Sequence, residues 1–207
     1  QVEYLSAGAI KGNGKALATR IVKKFGDDTF RIMEEEPERL AEVKGISMRK
    51  ALEISGAVAG KRDLRQAMLF LQQYGITQNL GMKIYNFYQG RLYQVIRENP
   101  YKLADDIDGV GFRIADEIAS KAGILPDSDF RIRSGILYVL EQATGQGHTC
   151  LPMDQLMQEA RRLLGVEIDS MNDRIMDLIM DKKIVVKTKE DIQMVYSSVS
   201  YYTELMI

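Results

Sequence analysis

Three short stretches carry the residue types that can do chemistry here: Gly12-Asn13-Gly14-Lys15, Gly45-Ile46-Ser47-Met48 and Gly109-Val110-Gly111-Phe112. In each, glycine permits positive φ in a tight turn, and the residues that follow read as the start of a helix. Such a turn aims several backbone N–H groups in one direction and adds the positive end of the next helix. The result is a small anion-binding concavity. Phosphate is its natural ligand, and contacts of this kind position a protein without reading a base sequence. Cations flank the turns: Lys11 and Lys15 at the first, Lys44, Arg49 and Lys50 at the second, and Arg113 at the last. A further copy, Gly75-Ile76-Thr77, lacks the second glycine and departs from the pattern.

Other chemistry finds little support. A phosphate-cradling Walker loop needs Gly-x4-Gly-Lys-Ser/Thr. The nearest approach, Gly12-Asn13-Gly14-Lys15-Ala16, has alanine where the metal-binding hydroxyl belongs and lacks the spacing. His148 has no Cys or carboxylate at metal-ligand spacing. The one cysteine, Cys150, excludes an internal disulfide and a Cys-rich zinc site. Tyr85, Phe87 and Tyr88 could stack on bases, though helical core aromatics are commoner. Net charge is −1. Residues 1–65 hold 13 Lys and Arg against 10 Asp and Glu, residues 66–129 hold 6 against 8, and residues 130–207 hold 9 against 11. An anion-binding role must therefore rest on local amides rather than on a broad cationic surface.

The elements that position the turns come from a duplication. Residues 10–43 lie over 73–106 at an offset of 63, pairing Ile21 with Ile84, Phe30 with Tyr93, Met33 with Ile96, Pro37 with Pro100 and Leu40 with Leu103. One inserted residue then pairs Gly45 with Gly109, Ala51 with Ala115 and Ile54 with Ile118. After each turn a small residue stands four positions on and an apolar residue seven on. That spacing puts both on one helical face, where the small residue lets a second helix come close.

From about Arg131 the pattern changes. Ile132–Ala143 reads as an amphipathic helix, His148–Leu151 as a short extended piece, and Pro152 as the opening of a helix that stops at Gly165. Ser170–Met180 is another helix, with Asp173, Asp177 and Asp181 along it. Ile184–Val186 and Ile192–Tyr196 form two strands around a polar turn. The expected fold is mainly α. It comprises a tandem duplicated helix–hairpin–helix domain, of the SAM or RuvA carboxy-terminal kind or the DNA-repair kind, and then a winged-helix-like α+β segment. Divisions are expected at 1–65, 66–128 and 129–207. No run is long enough to span a bilayer, and the start has no basic and then apolar leader, so a cytoplasmic location is expected. A start without Met and an end at Ile207 read as a piece of a longer protein.

The glycine turns resemble the helix–hairpin–helix motif of DNA repair and recombination proteins, in which paired hairpins hold the DNA backbone. More narrowly, IRENPYKLADDIDGVGFRIADEIASKAGI and RIRSGILYVLEQATGQGHTCLP look like the amino-terminal region of RecD/TraA-type ATP-dependent DNA helicases, the exonuclease V alpha-subunit kind. The resemblance implies DNA as partner, acting through Gly12–Lys15, Lys44–Lys50 and Gly109–Arg113. It also implies two RecA-like motor domains that move 5′ to 3′ and act in recombination and repair, with ATP and magnesium bound only there and no cofactor, metal or catalytic residue in this region. Two other readings stand beside it. One is a protein-interaction scaffold that docks the motor domains or a partner. The other is a helix–hairpin–helix glycosylase with Asp127 or Asp129 as its catalytic aspartate.

Overall fold

The computed structural model describes residues 1–6 and 14–206. By internal packing the chain divides into two compact units, Gln1–Gln73 and Tyr74–Ile207. The first holds α1 (Val2–Ser6), α2 (Gly14–Phe25), α3 (Thr29–Glu35) and α4 (Met48–Gln72). The second opens with α5 (Gln78–Tyr88), α6 (Leu92–Glu98), α7 (Lys102–Asp106) and α8 (Phe112–Lys121). It continues with α9 (Asp129–Gly145), β1 (Leu151–Pro152), α10 (Met153–Leu164), α11 (Ile168–Met180), β2 (Ile184–Lys189), β3 (Ile192–Ser197) and α12 (Ser198–Leu205). The mainly helical fold with tandem hairpins is the one the sequence leads to. No helix among the described residues is long and apolar enough to cross a membrane.

The duplication is visible element by element. Short 3-10 turns at Gly26–Asp28 and Gln89–Arg91 precede α3 and α6, and both pairs of elements stand 63 residues apart. The turn residue has positive φ in both copies, 56° at Gly26 and 52° at Gln89. A cation caps the preceding ring in both, Arg39 over Phe25 and Lys102 over Tyr88. The small-then-apolar pairs Ala18 and Ile21, Ala51 and Ile54, and Ala115 and Ile118 are all buried. So are Gly81 and Ile84 on α5. Burying several aliphatic side chains at about 1.5–3 kcal/mol each is what holds each helix to its neighbours.

The copies part after the second hairpin of each pair. α8 stops at Lys121, and Gly123, with φ 82°, turns the chain so that Ile124 N–H bonds the Ala119 carbonyl at 3.0 Å. The corresponding position in the first copy is Ala59, and α4 runs on to Gln72. Alanine favours the helix and disfavours the left-handed turn, so no stop forms there. The division expected at 65/66 therefore falls inside α4. Nor does a division fall at 128/129, where Ser128 caps α9 by accepting from Arg131 N–H at 3.2 Å.

In the second unit, β1 pairs antiparallel with β3, and β3 with β2, in the order β1-β3-β2. Leu151 faces Val195, and β2 runs from Ile184 against Ser197 to Lys189 against Ile192. Three helices and this small sheet follow the element order expected for residues 129–207. α9 and α10 come close at Gly135, where any Cβ would meet the Leu164 side chain.

Candidate nucleic-acid interface

The Gly45, Gly75 and Gly109 turns share one conformation. Their first glycines have φ of 95°, 73° and 91°. The next side chain, Ile46, Ile76 or Val110, is buried and pins the turn to the core. The third residue is extended and caps the following helix, with φ −77° at Ser47, −67° at Thr77 and −98° at Gly111. Only the first glycine needs a left-handed backbone. The Gly75 copy, which lacks the second glycine, therefore keeps the geometry of the other two.

The turns differ in the amides they leave open. First-turn N–H groups of a helix have no intrahelical acceptor. Ser47 Oγ takes the Lys50 N–H at 3.1 Å and Thr77 Oγ1 takes the Leu80 N–H at 3.3 Å. Gly111 has no side chain with which to do this, and no side-chain cap forms at α8. The Gly109–Gly111 turn thus offers a bare helix start to an acceptor such as a phosphate oxygen.

Of the residues singled out from sequence, Lys11, Gly12 and Asn13 lie outside the described residues. Gly14 is buried at the start of α2, beside exposed Lys15. Lys44 and Gly45 precede α4, whose first turn carries exposed Met48 and Arg49 and half-buried Lys50. Arg49 Nε lies 3.7 Å from Glu53. Arg113 is exposed on the first turn of α8. Phe112 is core: its ring stacks between Tyr101 at 5.8 Å and Tyr138 at 5.4 Å. Ile46, Val110 and Phe112 therefore offer backbone groups to a ligand, not side chains.

Two further cations stand at the turns, beyond those that the sequence pattern marks. Arg20 Nη1 donates to the Lys44 carbonyl at 3.1 Å, and Lys83 Nζ to the Asp108 carbonyl at 3.4 Å. Each clamps the peptide just before a hairpin glycine and leaves positive charge at the turn. The repeat offset that pairs Ile21 with Ile84 also pairs Arg20 with Lys83, so the signal was present. Lys121 lies over Gly75, where a Cβ would stand.

A partly buried network ties this site to the rest of the second unit. Tyr101 donates to Asp116 Oδ1 at 2.5 Å, and Arg131 Nε donates to the same oxygen at 2.8 Å. Arg131 Nη1 also reaches the Pro126 and Leu164 carbonyls, each at 2.8 Å. Tyr88 donates to Asp106 at 2.7 Å. Both phenols titrate well above the ordinary range, first because burial disfavours the phenolate and then because each hydrogen-bonds a carboxylate. Asp129 pairs with Arg174, and Arg133 with Asp181 at 3.2 Å, so part of the acidic charge beside α11 is neutralised. Among the described residues, no group of three or more His, Cys, Asp or Glu is placed to hold a metal ion.

Residues 60–150 match the family model for the helix–hairpin–helix domain of the ATP-dependent RecD2 DNA helicase. The ATP-dependent RecD2 DNA helicase of Deinococcus radiodurans is 27% identical over 144 residues, which is 69% of this chain. The chain spans 20% of that relative's length. Residues 60–150, which carry the Gly75 and Gly109 turns, are thus a helix–hairpin–helix region like that of the RecD-like helicases.

Proposed function

We propose that this chain is a DNA-binding region that holds the phosphate backbone without regard to sequence, within a RecD-like ATP-dependent DNA helicase. The observation that carries the reading is the recurrence of one turn. At Gly45, Gly75 and Gly109 a left-handed glycine, a buried aliphatic residue and an extended cap present a helix start to solvent. Duplicated hairpins of one geometry suit a polymer of repeated phosphates better than they suit any single small ligand. Arg20, Lys44, Arg49, Lys83 and Arg113 supply the positive charge around the turns.

In this reading the motor chemistry belongs to RecA-like domains elsewhere in the whole protein. Those domains bind ATP and magnesium and move 5′ to 3′ in recombination and repair, while the region described here holds DNA and hydrolyses nothing. Residues 129–207 act as a winged-helix-like element that braces the second hairpin pair through Arg131. The protein works in the cytoplasm.

The test is an anisotropy titration with single-stranded and duplex oligonucleotides of unrelated sequence at low salt. Reversing charge at Lys44, Arg49, Lys50 and Arg113 should cost DNA affinity tenfold or more. Equal failure of the unaltered chain on both kinds of DNA removes the reading.

One observation favours a docking role for the first unit instead. An apolar groove of about 1070 Å³ runs beside α4, lined by Tyr4, Phe30, Leu52 and Leu69. If that groove is what this region is for, the four charge reversals leave partner binding intact.

A further inference from the structure

A second feature of the second unit lies beside the Gly109 hairpin. α8, α9, the approach to β1 and α10 enclose an open cleft of about 570 Å³. Its lining is mostly polar: Arg113, Gln142, Gln146, His148 and Arg162 stand around it, with Tyr138 among them. Gln155 and Glu159 complete the α10 side, and Gln155 Nε2 donates to the Glu159 carboxylate at 3.1 Å. Glu159 is the one carboxylate in the lining, against two arginines.

We infer that this cleft takes a nucleotide of single-stranded DNA as the strand leaves the Gly109 hairpin. The inference rests on the DNA-binding reading above and adds strand type to it. Arg113 belongs to both places, as it stands in the first turn of α8 and in the cleft wall. A phosphate held at the hairpin therefore has its neighbour within reach of the cleft. The two guanidiniums can hold that phosphate in the bidentate way planar cations favour. Three glutamine amides offer donors and acceptors to a base edge. The aromatic run from Tyr101 through Phe112 ends at Tyr138, which gives the base a ring to lie on. A duplex hides its Watson–Crick edges in pairing and its base faces in stacking, whereas a single strand offers both, so the cleft discriminates for the latter. Its volume is in the range of ordinary ligand pockets, about 300–1,000 Å³.

The experiment is anisotropy on the full 207-residue chain. The probes are a labelled oligothymidylate and a labelled duplex of equal length, at low salt. Arg162→Glu should weaken oligothymidylate binding about tenfold and leave the duplex within about twofold, and Gln142→Ala should weaken oligothymidylate alone by about threefold. Arg161→Glu is the charge control. It changes charge equally on the same helix, but Arg161 faces Glu167 at 3.9 Å and lies outside the cleft. If Arg161→Glu and Arg162→Glu act alike on both probes, the cleft is no site and the inference is overturned. Gly111→Glu, which places a carboxylate at the hairpin, separates the two readings. Loss of both probes in Gly111→Glu with none in Arg162→Glu sinks the cleft and leaves the hairpin reading standing. Millimolar thymidine monophosphate supplies the last arm. Arg162-dependent binding of the free nucleotide without Arg162-dependent binding of the oligomer overturns the strand assignment.

Discussion

The two hairpin pairs follow one path, yet the outer face of their final helix ends differently. In the second pair Phe112 and Asp116 lie under α9, and Phe112 is only 5% exposed. The first-pair counterparts are Met48 and Leu52, 52% and 55% exposed at the matching positions of α4. A duplicated unit thus keeps its turns, its ring-capping cation and its left-handed turn residue while the face beside them diverges. Turn geometry is set by a few local residues, whereas the covering of a helix face depends on what the chain does next. At Gly123 it turns back; at Ala59 it does not.

Removing what is particular to the second pair should give the largest effect. Arg131→Ala leaves Asp116 without its cation and two carbonyls without a donor. It should destabilise the second unit by about 3 kcal/mol, the low end for a buried pair because both partners keep some contact with water. Leu52→Ala, at the Asp116 position of the first pair, should cost less than about 0.5 kcal/mol. Urea unfolding with hydrogen exchange read separately in α4 and α8 compares them. Equal losses would mean that the two faces are equivalent after all.

The turns should respond alike. Gly45→Ala, Gly75→Ala and Gly109→Ala each force a side chain into a left-handed backbone and should each cost at least about 1–2 kcal/mol. Gly75 and Gly45 carry an added clash, since a Cβ would run into Lys121 Nζ at the first and stand 3.1 Å from Arg20 Nη1 at the second, both movable side-chain ends. Gly111→Ala should be nearly silent in thermal melts, because its φ of −98° suits any residue. A silent Gly75→Ala would break the equivalence of the three turns. A smaller effect is expected at the turn after the first helix of each pair. Gln89, at φ 52° and ψ −133°, holds a backbone where glycine is at ease, as its counterpart Gly26 is. Gln89→Gly should stabilise by up to about 1 kcal/mol and Gly26→Gln should cost about as much.

Alkaline pH should separate the pairs too. Phe25 and Glu38 occupy the positions of Tyr88 and Tyr101, so these two raised phenols have no counterpart in the first pair. Unfolded tyrosine ionises near pH 10, at about its free value. Above that the unfolded chain releases protons that folded Tyr88 and Tyr101 retain, so stability falls as pH rises. Ultraviolet titration should find Tyr88 and Tyr101 protonated until the second unit unfolds. Phe25 and the first pair give no such phase.

Much of this was legible in the sequence because its signals are local. The 63-residue offset, the buried Ala18, Ala51 and Ala115, the stop at Gly165 and the two carboxy-terminal strands each follow from spacing or a breaker. The sequence understated the Gly75 turn, because the missing second glycine looked like decay. An extended cap accepts threonine as readily as glycine, so nothing was lost. It overstated Phe112, whose motif position contributes an amide while the ring belongs to the core. The division expected at 65/66 falls inside α4, because Gly56 and Gly60 take no positive φ and the helix runs through both. Arg20 and Lys83 were missed because a long side chain bonding a carbonyl 24 or 25 residues away leaves no local pattern.

The most direct test of the central claim is the salt dependence of DNA binding by the intact chain and by Gly109→Ala/Gly111→Glu. The account predicts equal affinity for unrelated sequences. Affinity should fall with salt at a shallow slope, since few cations take part and each neutralised phosphate of a duplex contributes about −0.9 to it. The double variant should lose at least tenfold. Unaltered affinity in that variant, or binding that depends on base sequence, would contradict the account.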